Sequence, residues 1–374
     1  MAQKKRAVVS VTNDLYTDQR VHKVCLFLLD QGYDVLLIGR KRRSSIPLPE
    51  RPYQTKRIRL LFEKGALFYA FFNVRLFFRL LFTRADVLVS NDLDTLPANY
   101  SASRFKRGVR LVYDSHEYFT GVPELVSRPK VQKIWLYIER NIFPKLKSVY
   151  TVNQSIADIY EKKYRVPVKI VRNISPKQIQ SEIASKAELD IPENVPLIII
   201  QGVGINIQRG AEEAVEAMHN IDGVLMIVGD GDVVPQLKVK VKREGLSDKV
   251  RFYKKRPYNE LMQFTTHADI GLTLDKPDSD NYRYSLPNKL FDYIHTSTPV
   301  VATAILEVQR IVEKHDIGVV VDPFTAERLA NAINCLISQP DELARLRLNC
   351  QKAAEVEHWE NETAILREIY PAVE

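Results

Sequence analysis

The chain has 374 residues, 45% of them hydrophobic and 27% charged, a composition expected of a soluble globular protein with room for two cored domains. Cys25, Cys335 and Cys350 are the only cysteines, and without short paired spacings they exclude a disulfide framework and a cysteine zinc site, so a reducing cytoplasm is expected. The net charge of +8 hides a split: residues 1–172 carry 32 Lys or Arg against 15 Asp or Glu, and the remainder carry 22 against 31. The basic half is expected to face something anionic. Nucleic acid and an anionic membrane surface are both candidates; no zinc-finger spacing or aromatic RNA-binding motif favours nucleic acid, and no nucleic-acid partner is expected.

The start, MAQKKRAVVSVT, runs from basic residues into a strand, without the apolar core or cleavage site of a signal peptide. Strands are predicted at RAVVSVT, YDVLLIG, ADVLVS, VRLVYD and SVYTVN in the first half. In the second half they are predicted at PLIIIQG, GVLMIVG, VRFYKK, ADIGLTL, TPVVAT and GVVVD. Most are unbroken apolar runs, the mark of parallel strands covered by helices on both faces. The polar stretch 172–196 divides the two series and reads as a linker. Two doubly wound α/β domains follow, residues 1–173 and 174–355. A terminal amphipathic helix in 356–374 is expected to pack back toward the first domain. Ligands of such sheets bind beyond the carboxyl ends of the strands, which points to a cleft between the domains.

Residues 64–84, KGALFYAFFNVRLFFRLLFTR, form the most apolar and aromatic stretch. Arg75 and Arg79 interrupt a stretch of barely adequate length, so it is not expected to span a bilayer comfortably. It is expected either to lie in a membrane interface, aided by the basic runs at 40–43 and 56–59, or to cover the first sheet as a buried helix.

Further on, NDLDTLPA holds Asp92 and Asp94, a D-x-D pair that either binds a metal or, through Asp94, caps the next helix. No other carboxylates or histidines stand close enough in sequence to favour the metal. YDSHE sets His116 and Glu117 just past a strand, on the ligand-binding edge. His116 is an acid–base or hydrogen-bonding candidate, or else a structural histidine.

In the second half, GVGINIQRG brings Gly202 and Gly204 to a strand end and Arg209 to the start of a helix, where a guanidinium can pair with a phosphate cradled by the helix amides. The following strand ends in VGDGD and not in the lone acidic residue of a nicotinamide site, which argues against that cofactor. SLPNKLFDYIH then places Lys289 in a first helical turn begun by Pro287. A cation against its own helix dipole suits an anionic ligand, and a solvated lysine is the equal alternative.

The ordered set RVHKVCLFLLDQGYDV, NDLDTLPA, YDSHE, QGVGINIQRG, VGDGD and SLPNKLFDYIHTSTPVVAT resembles the retaining glycosyltransferases of family 4, over nearly the whole chain. The resemblance implies the GT-B fold, two Rossmann-like domains facing a central cleft. It implies transfer of a sugar from a nucleotide-diphosphate donor, held by the second domain, to a glycan or lipid-linked acceptor on the first. No metal or cofactor is implied, and the expected setting is cell-surface polysaccharide assembly by a cytoplasmic or peripheral membrane enzyme of hexosyltransferase type.

By the same resemblance, Arg209 and Lys289 hold the diphosphate and act with His116 in catalysis. Asp292 takes the ribose hydroxyls, Lys255 and Arg256 line the nucleobase pocket, and Gly202, Gly204, Ser285, Asn288 and Leu290 complete the donor site. Asp14, Arg20, Asp92, Asp94 and Glu117 are the acceptor-side candidates. The chain departs from the family at Tyr284, which stands where the first motif glutamate contacts the donor sugar. That departure keeps a donor-binding protein without activity as an alternative, and a sugar-nucleotide epimerase of the same fold as another.

Overall fold

The computed structural model describes residues 4–16, 18–177, 183–202 and 204–373. The chain forms two compact units, one of residues 1–173 with 362–374 and one of residues 174–361. The first holds strands β1 (Arg6–Ser10), β2 (Asp34–Lys41), β3 (Gln54–Arg59), β4 (Val87–Asn91), β5 (Arg110–Ser115), β6 (Val149–Thr151) and β7 (Lys169–Ile170). They pair in the order β3-β2-β1-β4-β5-β6-β7, and every pairing is parallel. The second holds β8 (Leu197–Gly202), β9 (Val224–Gly229), β10 (Val250–Tyr253), β11 (Ile270–Thr273), β12 (Val300–Thr303) and β13 (Gly318–Val321). Their order is β10-β9-β8-β11-β12-β13, again parallel throughout.

The unbroken apolar runs are explained by burial on both faces. In β8, Ile198 and Ile200 join the core layer on one side, and Leu197 and Ile199 join the layer on the other, as a two-residue repeat requires. In each sheet the central strand lies where the order reverses, between β2 and β4 for β1 and between β9 and β11 for β8. Loops leaving those strands form the natural ligand edge of such folds.

Two strands are absent from the sequence reading. The basic run at 56–59 lies within β3, an edge strand paired with β2 from Leu36↔Gln54 to Lys41↔Arg59. Only Ile58 of that strand is buried, so it carries no apolar run to announce it. β7 is two residues long and gives no period. The predicted strand VRFYKK stops at Tyr253, leaving Lys254 and Lys255 in a loop. The polar linker is also less free than its composition suggests, because Ile174 and Ile191 are buried in the core of the second unit. Residues 178–182 of that segment lie outside the described residues, as do residues 1–3 of the basic start.

The terminal helix runs Trp359–Ile369. Residues 362–374 count with the first unit, where Glu362 receives Arg172 through both the guanidinium and the backbone amide. Tyr33 donates to the Pro371 carbonyl at 3.0 Å, and Val373 donates to Gln31 at 2.9 Å.

Candidate functional sites

In the first unit, β4 and β5 end side by side, with Asn91 paired to Asp114. Beyond them lies a charged cluster. Arg20, 4% exposed, reaches from the helix Gln19–Asp30 to clamp Asp114 with its Nε at 3.2 Å and Nη2 at 2.7 Å, and its Nη1 donates to Val171 at 2.9 Å. This two-pronged pair anchors Asp114 as a carboxylate. Burial pushes its pKa up, but Arg20 and His116 more than reverse that and bring it to about 2.

His116 lies between two acids, with Nδ1 3.3 Å from Asp92 and Nε2 3.1 Å from Asp114. Burial disfavours its charge, yet the Asp92 and Asp114 carboxylates hold its pKa up to about 9. The imidazole is therefore a cation at neutral pH, a donor at both nitrogens and not a base. Asp92 has φ +58°, a left-handed conformation that short polar side chains tolerate. In it the Asp92 carboxylate also accepts the His116 amide at 2.8 Å.

Asp94 takes another path. The helix Leu96–Phe105 is preceded by Thr95 as its cap residue, so the expected capping by Asp94 does not occur. Thr95 instead turns its hydroxyl to Ser90 and the Asn91 carbonyl. The Asp94 carboxyl accepts from Thr12 through Oδ2, and the buried Oδ1 has no hydrogen-bond partner among the described residues. Burial, then repulsion from Asp92, pushes its pKa up to about 8. Asp92 and Asp94 thus serve different partners.

Asp94 lines a cavity of about 410 Å³ together with Thr12, Asn13, Arg40, Tyr69, Asp92 and Glu117. A neutral carboxyl, charged groups and aromatic rings facing one cavity suit a hydroxyl-rich ligand. Asp14 is engaged elsewhere, accepting from Ser45 and from Arg57, whose Nη1 is 3.2 Å away.

In the second unit, the loop leaving β8 is locked by VGDGD. Gly229 (φ +143°) leaves so little space that a Cβ would sit 1.8 Å from the Gly202 carbonyl oxygen, and one on Gly231 would sit 2.0 Å from that of Ile205. Only glycine permits these approaches. Asp232 then accepts the Ile207 amide at 3.0 Å and donates its own amide to Asn206 at 3.1 Å. The second glycine loop therefore shapes the first. Gly204 has no such constraint, and Val203 between the two site glycines lies outside the described residues.

Arg209 follows this loop, immediately before Gly210 (φ +73°), which caps the helix Ala211–Ala217. Its Nη1 is 3.3 Å from Asp275, its guanidinium lies over the Tyr282 ring at 4.9 Å, and its buried Nε has no hydrogen-bond partner among the described residues. Lys289 belongs to the same charge cluster. Burial lowers its pKa first, Asp275 opposes that, and Arg209 adds to it. Asp275, 1% exposed just past β11, is thus the carboxylate that pairs with Arg209 and whose charge also reaches Lys289. The sequence reading missed it; the available signal was an acid closing the strand ADIGLTL.

The helix carrying Lys289 is Lys289–His295, with Asn288 as its cap residue, so Pro287 precedes the helix and does not open it. A tight turn in which Leu290 donates to the Pro287 carbonyl at 3.1 Å explains the delay. The Leu290 side chain is fully buried in the core. Ser285 keeps a buried hydroxyl without a hydrogen-bond partner among the described residues. Tyr284 ends the short helix Asp280–Arg283. Lys255 and Arg256 are exposed after β10, Arg256 lying 3.6 Å from Glu260.

Asp292 is 6% exposed and already well supplied with donors. Tyr258 donates at 2.8 Å, Ser175 at 3.0 Å and Gln201 at 3.0 Å. Burial raises its pKa, and these hydrogen bonds, that from Tyr258 foremost, counter the rise. Gln201 is itself held by Thr265 at 2.5 Å. None of these three partners stands out in the sequence, because Ser175, Gln201 and Tyr258 come from distant segments.

Two parallel, helix-covered sheets with polar loops at their strand ends define a GT-B architecture. The structure resembles sucrose-phosphate synthase from Thermosynechococcus elongatus (TM-score 0.80, 17% identity, 98% of each chain). It also resembles the Anabaena protein HepE solved with UDP (TM-score 0.72, 16% identity, 99% of this chain and 100% of that one). Residues 18–174 match Glycosyltransferase Family 4, and residues 181–355 match the glycosyl transferases of group 1. The chain belongs to this family of GT-B glycosyltransferases. A curated relative, alpha-D-kanosaminyltransferase of Streptomyces kanamyceticus, is 24% identical over 261 residues, and the match spans 65% of each protein.

Proposed function

We propose that the protein is a retaining glycosyltransferase that moves a hexosyl group from a nucleotide-diphosphate sugar to a glycan or lipid-linked acceptor in cell-surface polysaccharide assembly. The observation that carries this reading is the cluster of Arg209 and Lys289 about the buried Asp275. A diphosphate entering there meets two cations whose charges one carboxylate cannot balance. As the glycosidic bond breaks, negative charge gathers on the leaving phosphate, and Arg209 and Lys289 stabilise it in place of a metal. HepE was solved with UDP, which makes a uridine diphosphate sugar the first donor to test.

In this reading Asp292 receives the ribose hydroxyls after Tyr258 gives way, and Lys255 and Arg256 flank the base. The first unit takes the acceptor in the cavity beside Asp94. His116, held as a cation, donates a hydrogen bond to the transferred sugar or its acceptor and does not remove a proton. The incoming hydroxyl passes its proton to the leaving phosphate.

Incubation with UDP-, GDP- and ADP-sugars tests the proposal. Slow donor hydrolysis, releasing nucleoside diphosphate, is the expected result for a transferase lacking its acceptor. Appearance of the epimeric donor would replace the proposal with an epimerase. Binding without turnover would favour an inactive donor-binding protein, the reading that Tyr284 motivates.

A further inference from the structure

A helix that is apolar all round belongs in a core or in a membrane. The helix Gly65–Phe82 is apolar on nearly every side, interrupted by Asn73, Arg75 and Arg79, and only one of its faces is in the core. Phe68, Phe72, Leu76 and Leu80 are buried against Val8, Ile38 and Leu88 of the first sheet. The opposite face shows Leu67, Phe71, Val74, Phe78 and Phe82 to solvent, from 40% exposed at Phe71 to 83% at Phe82. Their spacings of four, three, four and four residues make one continuous stripe roughly 22 Å long. Phe62 extends it through ring contact with Phe71 at 5.3 Å, and Phe105, 73% exposed, joins through Phe77 at 5.9 Å. An apolar patch of this extent marks a binding surface.

Charge selects the occupant. Arg75 and Arg79 are exposed on the same helix; Arg75 turns one guanidinium nitrogen to the Arg59 carbonyl, and neither arginine has a carboxylate within ion-pair distance among the described residues. Residues 40–107 carry 15 Lys or Arg against 5 Asp or Glu. A second copy would bring the same positive field onto this one and repel it. An anionic bilayer offers hydrocarbon to the stripe and phosphates to the arginines together. Spanning is excluded, since the 18-residue helix carries two arginines and keeps its inner face in the protein core.

We propose that the outer face of this helix docks the protein on an anionic bilayer, with Leu67, Phe71, Val74, Phe78 and Phe82 sunk into the interface and Arg75 and Arg79 on lipid phosphates. The start of the helix also bounds the cavity beside Asp94, through Lys64, Gly65, Phe68 and Tyr69. Docking therefore sets that cavity beside the lipid headgroups, where it can receive a membrane-borne acceptor. The docking itself stands independently of the donor reading.

Cosedimentation of the full chain with vesicles tests it. Binding is expected to phosphatidylcholine vesicles containing phosphatidylglycerol, and to be at least about 10-fold weaker to phosphatidylcholine alone. Replacing the exposed Phe71, Phe78 and Phe82 by serine should abolish binding, and Arg75→Glu with Arg79→Glu should weaken it about 10-fold or more and blunt its salt dependence. Circular dichroism confirms that each variant folds. Failure of the parent to bind either vesicle overturns the proposal, as does undiminished binding by the triple serine variant. A parent dimer that the same variant makes monomeric would assign the face to a second copy and overturn it too.

Discussion

Asp94→Asn should stabilise the protein, and only above acidic pH. The unfolded chain releases the Asp94 proton near pH 4, whereas the folded chain holds it to about 8. Folding therefore retains a proton through that window, and stability falls as pH rises from 4 to 8. Each pH unit takes about 1.4 kcal/mol, so at pH 7 the buried carboxyl costs on the order of 4 kcal/mol. Asparagine keeps an oxygen for Thr12 and leaves one buried polar atom without a partner among the described residues, as the neutral carboxyl does. The two proteins should match near pH 4.5 and diverge steadily toward pH 8. Urea unfolding followed by circular dichroism across that range measures the gap. A difference independent of pH would refute the reasoning, and so would a variant less stable throughout.

Two further outcomes concern the second unit. Arg209→Ala should weaken nucleoside diphosphate binding by about 10- to 100-fold, the loss of a charge-assisted contact, while leaving nucleoside affinity unchanged; equal calorimetric affinity for the diphosphate would remove Arg209 from the site. Asp292→Asn should lower affinity for a ribonucleotide and spare its 2′-deoxy form, because one acceptor oxygen becomes a donor amide. Since Tyr258, Ser175 and Gln201 already point donors at Asp292, the same change should also lower the melting temperature. Equal weakening of both nucleotides would leave Asp292 with that structural role alone.

What the sequence by itself determined were the features written in local pattern. Apolar runs such as LIIIQ and VLMIV can only be strands covered on both faces, and their alternation with helices leads to two parallel sheets. The placement of His116 just past a strand, and of Arg209 and Lys289 at helix starts, was legible for a similar reason: strand ends and helix caps are written in local pattern. The edge strand β3 was not legible, because a strand with one buried residue has no apolar signature.

Tertiary structure alone decided the electrostatics. Asp92 and Asp94 look alike in NDLDT, yet one pairs with a cationic His116 and the other is held neutral beside Thr12. A pKa depends on burial and on charges brought from other strands, so no local spacing encodes it. Asp275 joined the site only when β8 and β11 became neighbours and set it against Arg209. The residues 64–84 were equally undecided, since a helix apolar on all sides has no preferred face in sequence. The sheet chose Phe68, Phe72, Leu76 and Leu80, and by burying that side it left the aromatic stripe outside.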